Sequence, residues 1–403
     1  MRNKRKHRII PIFIPHLGCP HDCSFCNQKN ITGQINIPTE NDIKKTIKNY
    51  IQTIQAPWET FGRGAFEIAF YGGSFTGLDP SLQVKFLAAA LNAVEENHEA
   101  SFQGNHETQF RGNHETQFRG NYEASFLGIR VSTRPDYIND DILKLLNNYH
   151  VKTIELGVQS LDDYVLEKNG RGHTRQDVFH AVGLIKNHHF KLGIQTMTGL
   201  YRDTYNKAID TANTVVSLKP DFVRIYPTLV IEGTYLAKLY RDGLYEPESM
   251  EEAVGLCADL MEIYAENNIP VIRAGLCPTE DLASDRKVLA GPFHPAFKQL
   301  AVSRIFFNKI LAHINAFLTF AKSHASIPSA KNENYQIIIH TPSKNASNII
   351  GNKKENIEKL KMIFKNSYVK IIVQDDVTFS NRYGNKDFHT EITFNEHKEE
   401  TME

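Results

Sequence analysis

Short apolar runs rich in β-branched residues, each followed by a helical pattern, constrain this chain more than any other feature of its sequence. The runs are 9–14, 66–71, 128–133, 151–156, 191–196 and 222–226. Helical patterns over about 42–54, 80–94, 140–149, 175–187 and 204–217 separate them, the first opening on Thr39 and Asp42, spaced like a capping box. Such alternation builds βαβ units, because parallel neighbours need a crossover long enough to hold a helix. Six strands fall short of the eight that close a full (β/α) barrel. The pattern therefore predicts an α/β fold, with a partial (β/α)6 TIM-type barrel and an open doubly wound sheet both compatible with it.

Composition bounds the rest. The chain has 403 residues, 41% hydrophobic and 23% charged, a core-forming balance that rules out wholesale disorder. Lys plus Arg and Asp plus Glu number 46 each, so no chain-wide field draws in nucleic acid. No stretch approaches the ~20 apolar residues of a membrane span. The basic start, 1–8, leads into an apolar run too short for a signal sequence, and a cytoplasmic location is expected.

One segment breaks the rhythm. From His98 the chain reads HEASFQGN, HETQFRGN, HETQFRGN, YEASFLGI. A period of eight is too short for helix-pair solenoids, and one Phe per repeat cannot build a core. The segment 98–126 is expected to be a loop inserted between a helix and a strand. After Pro227 the pattern changes to an amphipathic helix over 249–267, a short strand at 271–274 and mostly helix to about 322. A polar linker, 323–334, precedes a strand at 335–340, a helix over about 345–364 and a strand at 368–374. The expected organisation is a core over 1–245, a helical C-terminal extension over 246–322, a small α/β module over 331–376 and a flexible tail over 377–403.

The chemistry concentrates just past the first strand, where Cys19, Cys23 and Cys26 form a C-x3-C-x2-C pattern. Soft thiolates converging from one loop suit an iron–sulfur cluster. A structural zinc ion would want a fourth ligand, for which His16 and His21 are near in sequence. Three buried, inert cysteines are the remaining reading. A cluster with only three protein ligands keeps one iron open to a small molecule.

CxxxCxxC after the first strand of a β/α series resembles the radical S-adenosylmethionine (radical SAM) superfamily, and the resemblance runs over roughly 9–300. It implies a 4Fe–4S cluster on Cys19, Cys23 and Cys26 whose fourth iron chelates S-adenosylmethionine. A reducing donor such as flavodoxin or ferredoxin would then trigger cleavage to a 5′-deoxyadenosyl radical. Gly72 and Gly73 match the strand-two turn that holds the methionine amino group, with Ser74 where many members carry an acid. By the same resemblance Ser132 and Arg134 are placed to meet ribose or carboxylate, Gln159 to contact S-adenosylmethionine and Arg171 to meet its carboxylate side. The blocks GVQS at 157–160 and RGHT at 171–174 are similar to those of the Elongator catalytic subunit and of oxygen-independent coproporphyrinogen oxidases. Residues 196–204 read TMTGLYRDT, and Tyr201 and Arg202 stand where relatives show Pro-Gly. No catalytic residue is assigned.

Of the other cysteines, Cys257 falls on the apolar face of the 249–267 helix, and Cys277 follows the 271–274 strand. The terminal module carries eight Lys and three Glu over 331–372, a local charge of +5. Around 349–357 it looks like the loop of a KH module, where a turn between helices clamps nucleic-acid backbone. That charge fits RNA contact and a solvated helix face equally. The Elongator resemblance implies tRNA modification, although too few residues follow the core to hold an acetyltransferase domain. A coproporphyrinogen oxidase-like tetrapyrrole enzyme and a non-catalytic iron–sulfur RNA-binding protein are the alternatives.

Overall fold

The structure, a computed structural model, describes residues 7–14, 19, 23–27, 37–55, 64–99, 124–276, 287–323, 335–364, 368–375 and 389–394. In chain order the first elements are β1 (His7–Ile14), α1 (Glu40–Gln55), β2 (Gly64–Gly72), α2 (Pro80–Glu99), β3 (Ala124–Thr133), α3 (Asp140–Asn148) and β4 (Val151–Gln159). There follow α4 (Asp163–Lys168), α5 (Arg175–Asn187), β5 (Lys191–Thr198), α6 (Tyr205–Ser217), β6 (Phe222–Pro227), β7 (Val230–Ile231) and α7 (Tyr235–Arg241). The chain continues through α8 (Met250–Glu266), β8 (Val271–Ala274), β9 (Val288–Ala290), α9 (Phe297–Ser323) and β10 (Tyr335–Thr341). Last come α10 (Ser343–Ile350), α11 (Glu355–Ile363), β11 (Tyr368–Val373) and β12 (His389–Phe394). Most of the repeat segment, 101–123, lies outside the described residues, as do Cys277, His16 and His21.

Local chemistry sets the helix starts. Thr39 and Asp42 form the expected reciprocal cap, with the Thr39 N–H donating to the Asp42 carboxylate at 2.9 Å and the Asp42 N–H to the Thr39 hydroxyl at 3.2 Å. Asn139, Asp162 and Thr204 each accept a backbone N–H at the first turn of α3, α4 and α6, and Thr174 caps α5 in a full box with Asp177.

The strands of the first unit lie parallel in the order β1-β2-β3-β4-β5-β6-β8. The order contains no reversal of direction across the sheet, so the doubly wound alternative is excluded and the partial barrel stands. It has one strand more than expected. Residues 271–274 were assigned to the C-terminal extension, but β8 pairs with β6 in the register Val223↔Val271 and Arg224↔Arg273. Four residues carry too little periodicity to reveal such a partner.

Alternation along the strands divides the sheet into two faces. One is apolar and buried, carrying Ile10, Ile12, Ile14, Ile68, Phe70, Ile129, Val131, Ile154, Leu156, Ile194 and Ile225. The opposite positions include Glu67, Arg130, Glu155 and Arg224, also buried. An apolar outer face against helices and a charged inner face mark a barrel whose interior does chemistry or binds.

The chain divides into two compact units, Met1–Met250 with Ile263–Phe293 and Glu251–Glu262 with His294–Glu403. The second unit therefore draws in α9, which the sequence reading placed with the extension ending at 322. Phe307, Ile310 and Ile314 of α9 pack with Ile337, Ile339, Ile349 and Leu360, giving the small sheet its core. That sheet has the order β11-β10-β12, with β10 parallel to β11 and antiparallel to β12. β12 lies in the stretch expected to be a flexible tail. Its sequence is polar, and the open edge of β10 supplies the pairing that its own pattern does not announce.

The helix expected over 345–364 is two helices. Gly351 sits at φ 80°, and Lys353 and Lys354 at φ 49° and 67°, so the backbone turns left-handed between them. Asn356 bridges the break, its side-chain amide donating to the Asn348 and Ile349 carbonyls and to the Ser303 hydroxyl.

Candidate active site

The sequence motifs meet at the ends of β1 to β4. The loop after β1 is pinned by Ser24, whose hydroxyl donates to Asn169 Oδ1 at 2.6 Å and whose N–H donates to the Asn169 carbonyl at 3.0 Å. The Leu236 N–H of α7 donates to the Ser24 carbonyl at 2.7 Å. A turn then closes from Cys23 to Cys26, the Cys26 N–H donating to the Cys23 carbonyl at 3.0 Å. Asn169 is fully buried, and its side-chain amide also donates to the Val165 and Tyr201 carbonyls. Sequence reasoning quoted this residue without giving it a task. Its only signal was an Asn directly before the RGHT block.

Two buried guanidiniums face the thiols. Arg171 donates through Nη1 to Cys23 Sγ at 3.2 Å and through Nη2 to the Gly157 carbonyl at 2.6 Å. Arg134, at the end of β3, donates through Nη1 to Cys19 Sγ at 3.7 Å. It is held by Asp136 at 2.9 and 3.0 Å and by the Arg171 carbonyl. Two fixed cations beside two thiols favour the thiolate form that binds metal. Among the described residues no three His, Cys, Asp or Glu side chains stand close enough to share one metal ion. A cubane takes its thiolates from wider apart than a single ion does, so the donor set suits a cluster.

Gln159 ends β4 just past a bulge, at φ 67°, where a non-glycine residue is strained. Its buried Oε1 and the buried Nε of Arg171 have no hydrogen-bond partner. Gly157 lies between the two side chains, and a Cβ there would come within 3.0 Å of Gln159 Nε2. The site therefore holds one acceptor and one donor already stripped of water, which is what a bound polar ligand requires.

At the end of β2 the Gly73 N–H donates to the Ile14 carbonyl at 3.2 Å, tying the glycine turn to the start of the cysteine loop. Gly72 has φ 103°, and a Cβ would sit 2.4 Å from the Ile14 carbonyl oxygen. Gly72→Ala is expected to lower unfolding stability by at least ~1–3 kcal/mol, measurable by urea denaturation. Ser74 is buried beside this turn. Ser132 stands apart from the thiols in this geometry, its hydroxyl accepting from Gln195 Nε2 at 3.2 Å.

Beneath these groups lies a network that sequence reasoning missed. Glu155, fully buried, accepts from Arg130 Nη1 at 2.7 Å, Arg224 Nη2 at 2.9 Å and Gln195 Nε2 at 2.9 Å. Arg130 also bonds Glu67, and Arg224 donates to the Tyr71 hydroxyl at 2.7 Å. Burial, and then the Glu155 charge, push the Tyr71 phenol up to about 12. A readable signal existed. Glu67, Arg130, Glu155 and Arg224 are each a lone charge inside an apolar strand.

The 196–204 turn survives its departure from the usual Pro-Gly. Arg202 takes the left-handed conformation at φ 66°, and the Asp203 N–H donates to the Leu200 carbonyl at 2.8 Å. Next to Arg171, His173 is buried, and burial with the Arg171 and Arg134 charges pulls its imidazole down to about 3. The unfolded chain takes up this proton near pH 6.5, whereas the folded chain resists it until about pH 3. Stability from this group is therefore present above about pH 6.5 and is lost as pH falls toward 3. His173→Gln should flatten the acid limb of a stability–pH curve across that window.

The radical SAM superfamily matches residues 13–215, and the radical SAM C-terminal domain matches residues 220–306. The chain belongs to the radical SAM superfamily. It is an enzyme of that superfamily, related to Elongator proteins. A tRNA uridine(34) acetyltransferase of Methanocaldococcus jannaschii is 28% identical over 207 residues, which are 51% of this chain and 36% of that protein. Elongator complex protein 3 of Homo sapiens is 34% identical over 142 residues, 34% of this chain and 26% of that one. The chain thus spans about a third of the length of these relatives. The solved structure of an archaeal Elp3 from Methanocaldococcus infernus shares the fold, with a TM-score of 0.54 at 18% identity, over 75% of this chain and 63% of that one. No described helix is long and apolar enough to cross a membrane.

Proposed function

We propose that this radical SAM enzyme holds a 4Fe–4S cluster on Cys19, Cys23 and Cys26 and binds S-adenosylmethionine beside it, for the modification of tRNA. The contact of Arg171 and Arg134 with two of the three thiols is the observation that carries this reading. Bound there, the cluster and S-adenosylmethionine would supply reductive cleavage to a 5′-deoxyadenosyl radical.

The chain's own groups have separable tasks. Arg134 and Arg171 hold the thiolates, Gln159 Oε1 offers an acceptor, and Arg171 Nε offers a donor to a carboxylate. The Gly72–Gly73 turn brings backbone close to the ligand, with Ser74 beside it, and Ser132 approaches from the Gln195 side. The tRNA reading rests on the relatives' names and on the basic terminal module with its left-handed Lys353–Lys354 turn. An electron donor of flavodoxin or ferredoxin type belongs to the same proposal, as does a cytoplasmic setting.

Arg171→Ala removes a charged donor from a partly desolvated pocket, a loss of roughly 1.5–3 kcal/mol. S-adenosylmethionine affinity should fall about ten- to a hundred-fold while iron content holds. Arg171→Lys should recover only part, because an ammonium lacks the two-pronged fork. The function itself is tested by anaerobic reconstitution with dithionite, S-adenosylmethionine and bulk tRNA, followed by nucleoside mass spectrometry. A new modified nucleoside supports the proposal. Turnover of porphyrinogen with unchanged tRNA would replace it.

A further inference from the structure

The end of the barrel opposite the thiols is open. In (β/α) barrels packed layers of side chains fill the interior, and the face at the strand starts serves stability. Here the starts of β1, β2, β3, β5, β6 and β8 surround a cavity of about 530 Å³, the size of a small-molecule pocket.

The lining is of two kinds. Ile9, Leu127, Phe222 and Ile272 form apolar walls. Leu127 and Ile272 stay 45% and 41% exposed, an apolar lip facing water. The charged lining is Glu67, Arg130, Lys191, Asp221, Arg224 and Arg273, with His7 at the mouth. Most of these charges are already engaged. Arg130 is bound to Glu67 and Glu155, and Arg224 to Glu155. His7 stands 3.4 Å from Glu67, and one Asp221 oxygen accepts the Leu192 N–H at 2.8 Å. Lys191 and Arg273 have no hydrogen-bond or ion-pair partner among the described residues. Deeper in, Arg224 keeps a buried Nε that is also unpartnered. In sequence, Arg2, Lys4, Arg5 and Lys6 run directly into His7, adding only positive charge near the opening.

Unspent cations over an apolar wall match one chemistry. We propose that this cavity is a second binding site, for a small amphipathic anion whose carboxylate or phosphoryl head meets Arg273 and Lys191 and whose apolar body lies along Ile9, Leu127 and Ile272. A guanidinium and an ammonium that approach one head group favour it electrostatically, and the half-enclosed setting strengthens both contacts over bulk water. The site does not depend on the cofactor reading, because none of its lining residues touches the thiols.

The test uses the reconstituted full chain and 8-anilinonaphthalene-1-sulfonate, a fluorescent amphipathic monoanion. Saturable binding is expected, with the dissociation constant raised about tenfold or more in Lys191→Ala/Arg273→Ala. Ile272→Asp, which puts a like charge on the lip, should weaken it as well. The S-adenosylmethionine titration should be unchanged in these variants, which separates this site from the cofactor site. Displacement by hexanoate but not by inorganic phosphate assigns a carboxylate head, and the reverse assigns a phosphoryl head. If wild type shows no saturable binding, or if the double variant and Ile272→Asp bind the probe like wild type, the proposal is wrong.

Discussion

Glu155→Ala is expected to destabilise the protein by about 3–5 kcal/mol, the range for breaking a buried ion pair by removing one partner. Arg130 and Arg224 would remain buried with no carboxylate between them. Arg130 still has Glu67, but Arg224 is left with only the Tyr71 and Tyr226 hydroxyls. Gln195 also loses an acceptor and keeps only Ser132. A shape-matched apolar pair should do better than the single change, because no charge is then stranded. Glu155→Leu with Arg224→Met should therefore recover much of the loss. Urea denaturation of the two single variants and the double variant measures this coupling directly. Additive effects would show that the network does not hold the barrel together.

Each of Cys19→Ala, Cys23→Ala and Cys26→Ala should abolish the visible charge-transfer absorbance of a reconstituted cluster and most of its iron. The loop supplies three thiolates, and losing one leaves two irons of a cubane without a protein ligand, since one is open already. Cys257→Ala is the control. That side chain is fully buried on α8, and its loss should cost only packing. Full iron content in Cys23→Ala would remove the cluster from the proposal, whereas loss in all three with retention in Cys257→Ala supports it.

The candidate site was legible to different depths. The cysteines, the glycine pair, Arg134, Gln159 and Arg171 stood out because each lies in a short motif at the end of a strand, where barrel sites form. The task of Arg171 did not. Its contact with Cys23 joins residues 148 apart in sequence, and Ser24 reaches Asn169 across 145. No window short enough to show periodicity spans such separations. Ser132 illustrates the converse, since its motif is plain but its hydroxyl is held by Gln195, which no motif marked.

Strand and helix existence, the apolar outer face, the helix caps and the spacing of the thiols were determined by the sequence alone. All are local, set by side-chain alternation, by backbone hydrogen bonding over three or four residues, or by covalent order. Tertiary structure decided the rest. It recruited the four residues of β8 as a seventh strand and gave β12 an edge to pair with. It brought lone charges from four strands onto Glu155, and it left a cavity where the strand starts fail to fill the barrel. Each of these depends on which elements become neighbours. A charge within an apolar strand is a defect until the sheet curls and presents its counter-charge, and only the assembled fold supplies that partner.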